Sequence, residues 1–429
     1  MSHPPLLLSP ELWSHVFEYL SMSDKFNARA CCKYFKRLVD HWSLWRDWTV
    51  VLTFPRSGPY NAEFWSTLRR RRVSSAVVKS SRTKDWKQLA QCLPTLSTLV
   101  VEHSCQSSLD CLKYFSYIKR LVIRHSNTSI VLDASIVKES QHLIHLNLCD
   151  VKLTKPTRHS FISAVSFFSN LTSLVCHHLG IFEHTSVMIH SVLSCLPKLE
   201  HLSLSVVHNL YSNIPGPDLY RSRGLANART LFSLELIDCM DQSLSEDLMK
   251  LVPGLKSLSV SYKYTHQELM DRELSPLCHF KTWLSDLPHL TTLAIFKGPP
   301  VKQYVSSIPT TVTDLTLCVA GLSSQDLTAT AARLPDLLHL HINPWPSHSG
   351  AQTPGIPLLF PKLKRLKLPH EHIPESKFLA LHRLCDLVYL EILDGSPYLS
   401  KLTEKLKALT DYKLQVITSP SQRNVLSCC

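Results

Sequence analysis

Glycine is scarce, with ten residues in a chain of 429. So few leave little material for the glycine-rich loops that cradle phosphates, and neither GxGxxG nor a P-loop occurs. GxSxG and HExxH are missing as well, which removes the common hydrolase and metalloprotease signatures. No run of eighteen apolar residues is present, so no membrane-spanning helix is expected. Residues 1–5 lack the basic start and long apolar core of a secretory signal. The fourteen cysteines contain no CxxC pair and no regular framework. That usage suits a reducing compartment, where buried cysteine acts as a small hydrophobe, and points to the cytoplasm and/or nucleus. The sequons at Asn127 and Asn170 then read as chance.

What is present begins with Leu8 to Trp48. Ser9 suits a helix N-cap, and Pro10 and Glu11 suit the first turn. Leu12, Trp13, Val16, Phe17 and Leu20 follow at helical spacing. Ser23 and Asp24 open a second helix with Phe26 and Ala30, and a third runs from Lys33 to about His41 with Phe35, Leu38 and Val39 on one side. Leu44, Trp45 and Trp48 close the unit. A bundle this short cannot bury so many large apolar side chains, so some must meet a partner.

This stretch resembles an F-box, the helical module that docks on a Skp-type adaptor in cullin-based ubiquitin ligases. The resemblance rests on Leu8, Pro10, Glu11, Leu12, Val16-Phe17, Tyr19-Leu20, Asp24, Cys32-Lys33, Leu38 and Leu44-Trp45-Arg46. Two positions depart from it: Ser9 separates the leucine and proline, and Phe35 stands where a tryptophan is usual. The resemblance implies adaptor contacts by Leu8, Pro10, Leu12, Val16, Phe17, Leu20, Phe35, Leu38, Leu44 and Trp45.

Thr49 to Phe54 reads as a short strand, with a turn at Pro55-Gly58-Pro59. Ala62 to Arg72 reads as a helix ending in four arginines, Arg69 to Arg72. That run is expected as a solvated helix end, with a nuclear import signal or phosphate contact as the alternatives. From Val73 the chain repeats LxxLxL twelve times, from Leu96-Leu99-Val101 to Leu387-Leu390-Ile392, at spacings of 22 to 35 residues. Val73-Ala76-Val78 is an earlier, weaker copy and Leu414-Val416 a closing strand.

The period resembles leucine-rich repeats of the longer kind. The fold class is therefore α/β: a three-helix F-box, then a curved solenoid with parallel strands on the concave side and helices on the convex side. The expected division is a tail at 1–7, the F-box at 8–48, a linker and capping segment at 49–72, a solenoid of about 12–13 repeats at 73–418, and a tail at 419–429. Single repeats cannot bury both faces, but stacked neighbours share one core.

Long connections at Val206–Arg223, Ser261–Lys281 and Asn343–Pro357 are either functional loops or slack between repeats. His370-Glu371-His372 reads as a surface turn rather than a metal site, and no metal or cofactor is expected. Cys428-Cys429 resembles a doubly lipidated tail but lacks the C-a-a-X order, so free thiols are expected.

The net charge of +12 bears on the target. Side chains alternate along a strand, so the residues between the leucines share the concave face. They form one basic stripe of Arg120, Arg124, His145, His177 and His201, and another of His339, His341, Arg365 and Lys367. Glu102, Glu235, Asp314 and Glu391 are the acidic members, and an ordinary solvated face is the alternative. The leading expectation is a non-catalytic substrate receptor, with a Skp-type adaptor, a cullin and an acidic or phosphorylated target as partners. A leucine-rich-repeat scaffold or inhibitor without ubiquitin chemistry is the alternative. Charge alone suggests nucleic acid, and no basic motif interleaved with aromatics supports it.

Overall fold

In the computed structural model the described residues are 8–54, 60–79, 83–103, 110–126, 128–132, 141–179, 185–206, 230–239, 244–263, 279–344, 353–370, 373–394, 396 and 398–419. The turn at Pro55-Gly58-Pro59, Glu371-His372, Cys428-Cys429 and most of the three long connections lie outside them. The chain divides into two compact units, Met1–Leu171 with His178–Gly180 and Thr172–His177 with Ile181–Cys429.

The first unit opens with three helices, α1 (Pro10–Glu18), α2 (Met22–Cys31) and α3 (Lys33–Val39), then a short 3-10 turn over Trp42–Trp45. Each start is fixed by a polar side chain that accepts an otherwise unpaired backbone N–H. Ser9 accepts from Leu12 at 3.4 Å and the Cys32 sulfur from Phe35 at 3.3 Å. Ser21, not Ser23, caps α2, accepting from Asp24 N at 3.2 Å and donating to its carboxylate at 2.6 Å.

Five strands follow: β1 (Thr49–Thr53), β2 (Ser75–Lys79), β3 (Thr98–Glu102), β4 (Arg120–Arg124) and β5 (His145–Cys149). Each pairs in parallel with the next. The stretch expected as linker and capping segment thus supplies a paired strand, β1, and helix α4 (Ala62–Arg70). Leu52, Val78, Val101, Ile123 and Leu148 lie side by side in register, all buried. Truncating one such side chain to alanine costs about 2–5 kcal/mol.

The second unit continues the scheme with β6 (Ser173–His177), β7 (His201–Ser205), β8 (Ser233–Cys239), β9 (Ser257–Tyr262), β10 (Thr292–Phe296), β11 (Asp314–Cys318), β12 (His339–Ile342), β13 (Arg365–Leu368), β14 (Tyr389–Leu393) and β15 (Gln415–Ser419). Again each strand pairs in parallel with its sequence neighbour. Leu174, Leu202, Leu234, Leu258, Leu293, Leu315, Leu340, Leu366 and Leu390 form one buried row across nine strands. Helices such as Thr185–Cys195 and Ser324–Arg333 lie between strands in the chain, the latter opened by a Ser323–Asp326 capping box.

Glycine's scarcity has a visible cost. The residue just after a strand takes a left-handed conformation at His103, His125, Asp150, His178 and Lys297, with φ between 51° and 54°. Histidine and aspartate tolerate this region better than most side chains, but glycine adopts it without strain. Cys31, Cys32, Cys92, Cys176, Cys195, Cys239, Cys318 and Cys385 are free thiols. Cys149 is disulfide-bonded. Among the described residues, no helix is long and apolar enough to cross a membrane, and no cluster of His, Cys, Asp and Glu could hold a metal.

Candidate docking surfaces

Helix α1 is apolar on two sides. Trp13, Phe17 and Leu20 turn inward, where Phe17, Val39, Leu44 and Trp45 form a core and Phe35, Leu38 and Trp48 pack against it. Phe17 and Trp13 both contact Phe35, with ring centroids 5.3 and 4.8 Å apart. The Trp45 indole N–H donates to the Val39 carbonyl, which satisfies its one polar group inside this core. Phe35 thus fills an aromatic slot.

The other side of α1 faces outward. Leu8, Leu12, Val16 and Tyr19 stand at i, i+4, i+8 and i+11, and Leu12, Val16 and Tyr19 are 52%, 42% and 79% exposed. Met22 and Phe26 on α2 are exposed as well. Monomeric proteins rarely leave contiguous apolar surface of this kind uncovered, and where they do it marks an interaction site.

The ten residues expected to touch an adaptor therefore separate. Leu8, Pro10, Leu12 and Val16 are exposed, while Leu20, Phe35 and Leu38 are half-buried. Phe17, Leu44 and Trp45 are buried within the helical unit and hold it together. Tyr19, Met22 and Phe26 are exposed apolar residues that the expected list omits. Their signal was the spacing of four from Met22 to Phe26 and of three from Val16 to Tyr19.

The arginine run divides: Arg69, Arg70 and Arg72 are exposed, as expected of a solvated helix end, and Arg71 is not. Arg71, which ends α4, is 2% exposed. It donates from Nε and Nη2 to Asp40 Oδ1 at 3.0 and 2.7 Å, and Arg29 Nε donates to the same oxygen at 2.9 Å. Its guanidinium lies 3.5 Å from the Trp45 ring centroid. Burial pushes the Asp40 carboxyl up, but bonds to Arg29 and Arg71 and the charges of both bring it below the ordinary carboxylate range. Helix α2, the end of α3 and the 3-10 turn are thereby tied to α4 by charge-assisted bonds and a cation–π contact.

The open face of the sheet, opposite the leucine core, carries the expected basic stripes in altered form. In the first unit Arg120 is exposed and Arg124 half-buried, with His145 opposite Arg120. Glu102 stands opposite Arg124 in register but pairs with Lys79 at 3.3 Å.

In the second unit several members of the basic stripes have partners within the chain. His177 is buried, its Nε2 2.7 Å from Ser203 Oγ, and Ser203 donates to Glu235 at 2.6 Å. The serine's single hydrogen is committed to the carboxylate, so His177 Nε2 carries the hydrogen toward serine. His201 bonds Ser233 at 2.9 Å, and burial lowers its proton affinity, opposed by Glu235. His339 pairs with Asp314 at 3.0 Å and Lys367 with Glu391 at 2.9 Å. Burial and the Lys367 charge push His341 down to about 4, against the pull of Glu391. Arg365 remains exposed beside Tyr389.

Comparisons with known proteins agree with this geometry at the N-terminus. Residues 5–47 match the F-box domain family. No curated protein matches the chain. Similar solved structures include the Rad7 and Elc1 complex in yeast, at 13% identity over 97% of this chain and 91% of that one, with a TM-score of 0.45. The leucine-rich repeat-containing protein LegL7 from Legionella pneumophila is 15% identical over 66% of this chain and 97% of its own, with a TM-score of 0.41. An internalin (inlF) from Listeria monocytogenes is 17% identical over 77% and 88%, with a TM-score of 0.39. Residues 5–47 match an F-box domain, and the chain joins that stretch to strands that pair in parallel with their sequence neighbours within each unit.

Proposed function

We propose that this chain is the target-recognition subunit of a Skp–cullin–F-box ubiquitin ligase. The observation that carries the reading is the F-box domain with its uncovered apolar stripe, Leu8, Leu12, Val16 and Tyr19. A row of large apolar side chains on one helix face is the form in which helix-to-groove docking stores its energy, with a few buried anchors dominating. A Skp-type adaptor is the partner for that stripe, and the adaptor connects the chain to a cullin. The repeats hold the target, ubiquitin transfer falls to other subunits, and this chain carries no catalytic residue of its own. The work takes place in the cytoplasm, the nucleus or both.

The test is reconstitution. Full-length chain mixed with a Skp-type adaptor is expected to elute as one complex and to recruit a cullin through the adaptor. Failure of the folded, unmodified chain to bind the adaptor overturns the reading and leaves the repeats as a binding scaffold without ubiquitin chemistry.

A further inference from the structure

Val51, Val77, Val100 and Val122 stand side by side in register across β1 to β4, all on the open face of the first unit. Val51 is 57% exposed, Val77 and Val100 are half-buried, and Val122 forms the floor at the far end. Strands are about 4.8 Å apart, so the row runs about 14 Å. The corresponding row of the second unit runs Val175, Ser203, Glu235, Ser259, Ala294, Thr316 and His341, with no consecutive run of large apolar residues.

On β4 the row ends between two cations. Arg120 and Arg124 flank Val122 on the same face, roughly 13 Å apart along the strand. Neither forms an ion pair with a described residue, because Glu102 is engaged by Lys79. Arg124 Nε and, on β5, Asn147 Oδ1 are both buried without a hydrogen-bond partner.

We infer that this face docks a short amphipathic helix of the target whose apolar stripe is bordered by carboxylates. The inference rests on the target-recognition reading above and names the kind of segment recognised. Helical pitch is about 5.4 Å, so a helix laid along the row offers one apolar turn to each of Val51, Val77 and Val100, with Val122 buried beyond them. An extended segment repeats its same-face side chains about every 6.7 Å and falls out of step by the second valine. A helix is about 10–12 Å across, which fits between Arg120 and Arg124 and brings flanking Asp or Glu side chains to each guanidinium.

The test is site-specific photocrosslinking in cells, using the full chain. A benzophenone amino acid is placed at Val77, or at Thr316 in the second unit as the matched control, and captured peptides are identified by mass spectrometry. Capture at Val77 is expected to return a segment with apolar residues at i, i+3 or i+4, and i+7, bordered by Asp or Glu. Arg120→Glu with Arg124→Glu is expected to lower that yield at least tenfold. Capture of a phosphopeptide, of nucleic acid or of a segment without the pattern overturns the inference. So does capture at Thr316 instead of Val77, no capture at Val77, or a yield unchanged by the arginine reversals. Adaptor retained in the same purification is scored separately, and its loss counts against the F-box reading rather than against this face.

Discussion

The guanidinium of Arg71 lies 3.5 Å from the centroid of the Trp45 ring while donating two hydrogen bonds to Asp40. Three residues from the F-box helices, the 3-10 turn and the end of α4 thus share one buried junction. Asp40→Asn is expected to destabilise the first unit by about 3–5 kcal/mol, because it leaves two buried guanidinium contacts without their counter-charge. Chemical denaturation measures the loss, and hydrogen exchange in α1–α3 should rise before that in β3–β5. The Asp40 carboxyl lies below its unfolded value. Its contribution is therefore present above the ordinary carboxylate range and lost as pH falls through the folded-state value. A variant as stable as the parent would show that the junction contributes nothing.

Separating surface from core on α1 gives a second expectation. Leu12→Asp with Val16→Asp should abolish adaptor binding and leave the melting curve within about 0.5 kcal/mol of the parent, since both side chains are exposed. Phe17→Ala should instead cost about 3–5 kcal/mol in stability, because Phe17 is buried among Trp13 and Phe35. Pull-down and thermal denaturation on the same preparations distinguish the two effects. An Asp double variant that still binds the adaptor would exclude this stripe as the interface.

The difference between those two outcomes marks what the sequence could tell. The repeat leucines were legible because each spaced set buries itself by the same local rule, whatever its neighbours are. The two apolar sides of α1 obey one helical period, so spacing alone could not say whether Leu12 or Phe17 faces in; that depends on where α3 and Trp45 lie. Arg71 read as solvated because its partner, Asp40, is 31 residues away in sequence. The pairing of His339 and Lys367 was hidden for the same reason. Asp314 and Glu391 sit one strand from His339 and Lys367, and ion pairing is decided by register, which single strands do not reveal.

His341 supplies a pH expectation. Its folded-state pKa is pushed down to about 4, chiefly by burial, so the folded chain favours the neutral ring. Stability from this group is fully present above the unfolded value near 6.5 and declines as pH falls toward 4. The loss at pH 5 is on the order of 1–2 kcal/mol. His341→Asn should flatten that part of the stability profile, followed by urea denaturation at pH 7 and pH 5. An unchanged slope would assign the acid sensitivity to other groups.

Lys297 offers a gain instead of a loss. It sits at φ 52° directly after β10, where its Cβ is crowded by its own backbone. Lys297→Gly should raise stability by about 0.5–1 kcal/mol, the relief of left-handed strain less the added freedom of the unfolded chain. A calorimetric melting temperature at or below the parent's would show that the turn carries no such strain.

Among the described residues of each unit, every strand pairs only with its neighbours in sequence. A chain leaving the ribosome therefore never waits for a distant segment before closing its next pair, and loop-closure entropy stays small at each step. The Asp40–Arg71 junction closes within the first 71 residues, so the F-box helices can set on α4 while most repeats are still unmade. Synthesis, which runs N-terminus first, then adds repeats to an existing template instead of folding a finished string. A transcript truncated within the repeats would still deliver the three N-terminal helices set on α4.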